Sequence, residues 1–150
     1  MPRKQTGYAV GTQVPPEKSQ QEIVALLRKN GATQHFFGED ERRAIVGFST
    51  RGRQIRFTIP YPVNDPLGRD AEIRRRWRCL LISIKAKFEN VAVAESLSPE
   101  HADNVFRAEF LAETVLRDGQ TVAEVVLPMV DRNYSAGAPL RLLPGLGDDE

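Results

Sequence analysis

Residues 69–87 hold the densest run of side chains suited to binding chemistry. Arg69, Arg74, Arg75, Arg76, Arg78, Lys85 and Lys87 stand against Asp70 and Glu72, a net charge of +5. Such a run suits phosphate groups, because each neutralised phosphate releases a condensed counterion. At about 100° per residue on a helix, Arg74, Arg78 and Lys85 line one flank of an apolar stripe. Arg69, Arg76 and Lys87 line the other, and Arg75 points away from the core. Phosphate contact is expected from Arg74, Arg78, Lys85 and Lys87. Arg53 and Arg56, read on the polar face of a strand with Arg51 nearby, extend this patch only if that face lies on the same side. The competing reading is a solvated helix whose arginines pair with Glu72, Glu89 and the acidic C-terminal half. An acidic protein surface is the alternative partner.

Other constellations are weaker. Glu39-Asp40-Glu41 is an acidic triplet, but it falls in a hairpin turn, where such residues serve turn chemistry. Glu109 and Glu113 lie one helical turn apart and could hold a cation with Glu89. A two-metal nuclease, the third functional reading, needs carboxylates converging from separate elements. His35 and His101 are the only histidines, and neither has a metal-binding neighbour in sequence. Cys79, the single cysteine, is flanked by Arg78 and lies near Arg76, yet no histidine–acid pair accompanies it. Gly145-Leu146-Gly147 lacks a following helix and makes no phosphate loop. No catalytic residue, metal or cofactor is expected.

The elements that position these residues follow from periodicity. Residues 1–14 carry no apolar repeat and read as a flexible arm. Pro15-Pro16 opens a helix to Asn30, with Ile23, Val24, Leu26 and Leu27 on one side and Asn30-Gly31 as its stop. Three strand-like runs follow: 33–37, 43–50 and 53–59. The last alternates cleanly, with Ile55, Phe57 and Ile59 opposite Gln54, Arg56 and Thr58. Short turns favour an antiparallel meander. Pro60-Tyr61-Pro62 ends the third run, and Asn64-Asp65-Pro66 marks a turn. A long helix then spans about 69–90, its stripe formed by Ile73, Trp77, Leu80, Leu81, Ile84, Phe88 and Val91. Cys79 and Ile82 lie on its back, a face for the C-terminal helices or a second subunit to cover.

Further on, Ser98-Pro99 opens a helix carrying Phe106, Phe110 and Leu111. Thr121 and Glu124 form a capping box for a last helix to about Asp131. A hairpin of 113–116 with 121–126 around Asp118-Gly119 is the alternative. Residues 136–150 read as an extended arm with Leu140, Leu142 and Leu143 available for docking and an acidic tip. The expected fold is therefore α+β: helix, three-stranded antiparallel meander, long amphipathic helix, then one or two shorter helices, in a single domain over 15–135. Helix, three strands, helix is also the order in double-stranded-RNA-binding domains, an analogy of topology alone.

The bulk properties agree with one soluble domain. The chain has 150 residues, 41% hydrophobic and 27% charged, with a net charge of +1. Residues 1–94 carry 17 basic and 9 acidic groups, residues 95–150 only 4 basic and 11 acidic. A basic face with an acidic tail, or two mutually neutralising halves, both fit. The apolar runs, Leu80-Leu81-Ile82 among them, are short, far below the roughly 20 residues of a membrane span. The basic start Met1–Thr6 lacks the apolar stretch of a signal peptide. One unpaired cysteine suits a reducing cytoplasm.

The run Arg76-Trp77-Arg78-Cys79-Leu80-Leu81-Ile82-Ser83-Ile84-Lys85-Ala86-Lys87-Phe88-Glu89 carries a resemblance. So do Glu109-Phe110-Leu111-Ala112, Leu116-Arg117-Asp118-Gly119-Gln120-Thr121-Val122, and upstream Glu22-Ile23 with Asn30-Gly31-Ala32. Over about residues 15–145 the chain resembles a family of small proteins encoded in phages, prophages and bacterial mobile elements, often beside DNA recombination and replication genes. The resemblance implies a mobile-element setting and an accessory role in DNA metabolism, here expected to be non-enzymatic. It carries over no catalytic residue, and Cys79 departs from its pattern.

Overall fold

In a computed structural model, described over residues 7–63 and 66–137, the order is α1 (Pro16–Lys29), β1 (Gln34–Glu39), β2 (Arg43–Thr50), β3 (Arg53–Pro60), α2 (Arg69–Glu95), α3 (Pro99–Glu109) and α4 (Val122–Ser135). The strands form one antiparallel sheet in the order β1-β2-β3. This is the expected α+β arrangement. Residues 138–150 of the arm expected at 136–150, with Leu140, Leu142 and Leu143, residues 64 and 65 of the expected turn, and the basic start Met1–Thr6 lie outside the described residues.

Local chemistry explains the boundaries. Pro16 sits in the first turn of α1, where its missing N–H costs nothing. Asn30 closes that helix by donating from Nδ2 to the Leu26 carbonyl at 2.8 Å, and Gly31 follows at φ +79. Between β1 and β2, the Asp40 carboxylate accepts the N–H groups of Arg42 and Arg43 at 2.7 and 2.9 Å. Those bonds hold its pKa below the usual carboxylate value. Between β2 and β3, Arg51 and Gly52 both take positive φ, +49 and +74. That pair matches the twist of a two-residue hairpin. Ser98 caps α3 by accepting from the His101 N–H, and Thr121 and Glu124 form the anticipated capping box on α4.

The core lies between one face of the sheet and the helices. Ala44, Val46 and Phe48 of β2 and Ile55, Phe57 and Ile59 of β3 face Ile23 and Leu27 of α1 and the α2 stripe. The helix runs five residues past the expected end at about 90, because Val91 and Ala94 are still buried and keep it in contact. Trp77 packs edge-on against Phe37 at 5.9 Å and donates from Nε1 to the Tyr61 hydroxyl at 2.9 Å. Tyr61 in turn donates to Glu39 at 2.6 Å. Burial first, then the Glu39 carboxylate, pushes the Tyr61 phenol well above its ordinary value. At the other end, Phe48, Phe57, Phe88, Phe106 and Phe110 form one aromatic cluster.

The segment between α3 and α4 combines both readings of the sequence. The Val115 N–H donates to Gln54 and the Arg56 N–H to Glu113, at 2.8 and 2.9 Å, so residues 113–115 border β3. A single bridge, Val115 to Thr121, closes the turn at Asp118-Gly119 before α4 begins. At the N-terminus, residues 7–14 form turns against α2 rather than a free arm. Arg74 and Arg75 donate to the carbonyls of Thr12 and Tyr8, and the Cys79 thiol lies 3.7 Å from the Tyr8 carbonyl. This strap, and not the C-terminal helices, reaches the back of α2 at Cys79.

Candidate nucleic-acid interface

The cations of α2 are largely occupied within the fold. Arg69 donates to the carbonyls of Pro62 and Glu41, both at 2.6 Å, and stacks over Tyr61. Arg76 pairs with Glu72 at 3.0 Å and donates to the Pro60 carbonyl at 2.6 Å. Arg78 pairs with Glu22 and so ties α2 to α1. Arg75 reaches Glu72 and the strap. Lys87 donates to the Glu109 carbonyl at 2.6 Å and lies over the Phe110 ring, joining α2 to α3. Of the four expected phosphate contacts, Arg74, Arg78 and Lys87 are thus half-buried clamps. Lys85 alone is exposed with no side-chain partner among the described residues.

The strand arginines do not extend that row. Arg56 has the parity opposite to Ile55 and Phe57, so it projects from the sheet face turned away from α2. Arg53, expected beside Arg56 on the polar face, has the buried Thr50 as its register partner instead. It has core-side parity and stands exposed only because it begins the strand beyond the edge of the core.

The outer sheet face is a different surface. Register places Gln34, Ser49 and Gln54 in one row, Phe36, Gly47 and Arg56 in the next, and Gly38, Ile45 and Thr58 in a third, with Arg43 and Pro60 beyond. None of these eleven positions is acidic. Phe36 is 57% exposed, and its ring lies over Gly47: a Cβ there would sit 2.1 Å from one ring carbon. Glycine is therefore what lets the ring lie flat against the sheet. A cleft of about 640 Å³ opens beside it, bordered by Thr33, Gln34, His35, Ser49, Gln54, Arg56 and Val115 among others. Arg56 is held from one side by Glu124 of α4, at 3.5 Å.

In chemical terms the face offers one π surface, two side-chain amides, hydroxyl groups and two guanidinium groups. Phe36 and Arg56 lie two strand spacings apart in one row, about 10 Å. Stacking on an aromatic ring with a cation nearby is how sheet surfaces hold unpaired bases. The residue pattern held one signal for this: Phe36-Phe37 is adjacent, so strand alternation must turn one ring in and the other out. The Gly47 notch that seats the outer ring became visible only with the register.

The carboxylates of the described residues have other roles. Glu39 accepts from Tyr61, Asp40 caps its turn, and Glu109 is engaged by Lys87 and Asn90. Among the described residues, no three His, Cys, Asp or Glu side chains gather as a metal-holding group, and no helix is long and apolar enough to cross a membrane. Comparison with protein-family models, curated proteins and solved structures finds no match to this chain.

Proposed function

We propose that this chain is a non-enzymatic accessory protein of a phage, prophage or other mobile element, acting in the cytoplasm and holding single-stranded nucleic acid on the outer face of its sheet. The observation that carries this reading is the exposed Phe36 ring seated over Gly47, in one row with Arg56, on a face to which the three strands contribute no carboxylate and where Glu124 of α4 pairs with Arg56. A base stacks on Phe36, the amides of Gln34 and Gln54 meet base edges, and Arg56 and Arg43 meet phosphates. The mobile-element resemblance supports the setting. The α2 cations support it less, because a phosphate reaching Arg78 or Arg76 must first displace a carboxylate already in place.

Fluorescence anisotropy with labelled single-stranded and duplex oligonucleotides tests the reading. Two phosphate contacts give a slope of log K against log salt of about −1.4, at roughly 0.7 per contact, whereas six contacts through Arg74, Arg78, Lys85, Lys87, Arg53 and Arg56 give about −4. Single-strand preference with the shallow slope is the expected result. No single-strand binding at low salt contradicts the reading. Equal capture of a poly-glutamate chain, insensitive to Phe36→Ala, assigns the protein instead to acidic protein partners.

A further inference from the structure

The most anomalous surface of the molecule lies elsewhere, on α4. None of its 14 residues is buried. Val125, Val126, Leu127, Met129, Val130 and Tyr134 are each between 36% and 64% exposed. On the helix wheel they join Val122 and Ala123 in an apolar arc about 200° wide, while Glu124, Pro128, Asp131, Arg132 and Ser135 occupy the remainder. A helix that apolar is normally covered. Among the described residues only its first turn is anchored, by the capping box, the Arg56–Glu124 pair and the Val122 and Ala123 N–H bonds to Thr114 and Ala112.

We infer that α4 is a self-association helix, packing against α4 of a second copy of this chain. Three observations select that occupant. The arc contains no charged side chain, so its partner is an apolar helix or groove and not an acidic surface. Val122, Val126, Met129 and Asn133 recur at spacings of four, three and four, the seam of a two-helix pair with one polar position to set register. The exposed side chains leave roughly 500 Å² per copy, so a two-fold pair removes about 1,000 Å², the lower bound for a specific interface. Pro128 fits the same arrangement. It lies on the polar side, where its missing N–H lets the helix bend away from it and curve its apolar arc around a neighbour.

Interfaces of that size associate weakly, so the dimer forms with rising concentration. Sedimentation velocity on the full chain, from low to several hundred micromolar, reads this directly. The expected result is a shift from a 16.8 kDa monomer toward twice that mass. Val126→Glu/Met129→Glu weakens it at least tenfold with an unchanged circular dichroism spectrum, and Arg132→Glu on the polar side leaves it intact. Since no α4 residue belongs to the buried core, the double variant keeps its fold. Should it lose helicity, Val126→Gln/Met129→Gln replaces it with the same expected loss. A wild type that stays monomeric throughout overturns the inference, as does association undiminished in the glutamate variant. Oligonucleotide binding by Phe36 is read separately, so either proposal can fail without the other.

Discussion

On α2, seven cations crowd residues 69–87, and six of them already contact carboxylates or backbone carbonyls within the chain. On the outer sheet face, two arginines stand among amides, hydroxyls and one bare ring. The region with the greater charge therefore has less of it to offer. The α2 cations act as clamps: Arg69 and Arg76 fix the loop after β3, Arg74 and Arg75 the N-terminal strap, Arg78 helix α1 and Lys87 helix α3. A guanidinium donating to a buried-side carbonyl gives up that bond before it meets a ligand, and a broken bond leaves the carbonyl unpaired. The sheet face has no such prior claims except at Arg56.

The largest effect expected from this division is structural. Trp77→Ala removes an indole that is 1% exposed, its contact with Phe37 and its bond to Tyr61. Urea unfolding is expected to show a loss of about 3–5 kcal/mol. A loss under 1 kcal/mol contradicts the claim that α2 works chiefly as a core helix.

Next in size, Phe36→Ala is expected to weaken single-strand binding by about 1–3 kcal/mol, roughly 5- to 160-fold, with stability changed by about 0.5 kcal/mol or less. Gly47→Ala sharpens the same point. The added methyl displaces the ring from its notch, and binding falls while the exposed ring absorbs the shift at little cost in stability. Unchanged anisotropy in both variants separates Phe36 from any ligand.

Smaller again is Arg78→Ala. Its pair with Glu22 is partly exposed, with side chains 23% and 38% accessible. The expected stability loss is about 1 kcal/mol or less after solvent screening. Oligonucleotide affinity stays within about twofold. A tenfold loss of affinity restores α2 as the contact surface.

The last effect, a change in pH dependence, belongs to Tyr61. Its folded-state pKa is raised above the ordinary value of 10.0, so its contribution to stability is complete below that value. As pH climbs through the unfolded pKa toward the folded one, the unfolded chain releases the proton first and stability falls. Tyr61→Phe is expected to flatten this alkaline decline while leaving the neutral range level. An identical decline in the variant assigns it to other groups.

Much of this fold was legible in the residues because it rests on periodicity and caps. The stripe from Ile73 to Val91, the alternation of Ile55, Phe57 and Ile59, and the side chains of Ser98, Thr121 and Glu124 each declare a local geometry. The fate of the cations was not legible, for a physical reason. Arg69, Arg74, Arg75, Arg76 and Lys87 all donate to backbone carbonyls, and a carbonyl carries no residue-type signal. Which carbonyl arrives beside a guanidinium depends on how Tyr8, Thr12, Pro60, Pro62 and Glu109 are folded back. The Glu22 partner of Arg78 lies 56 residues away in sequence. Phe36 was hidden in the opposite way. Its alternation with Phe37 was plain, but the Gly47 notch belongs to the neighbouring strand. The bare arc of α4 also needed the fold, since an apolar periodicity reads the same whether or not a core covers it.

The most direct test is photocrosslinking of a single-stranded oligonucleotide containing a halogenated pyrimidine, followed by identification of the modified peptide. Attachment within residues 34–56, abolished in Phe36→Ala, is the predicted result. Attachment within residues 69–87, or labelling that persists unchanged without the Phe36 ring, contradicts it.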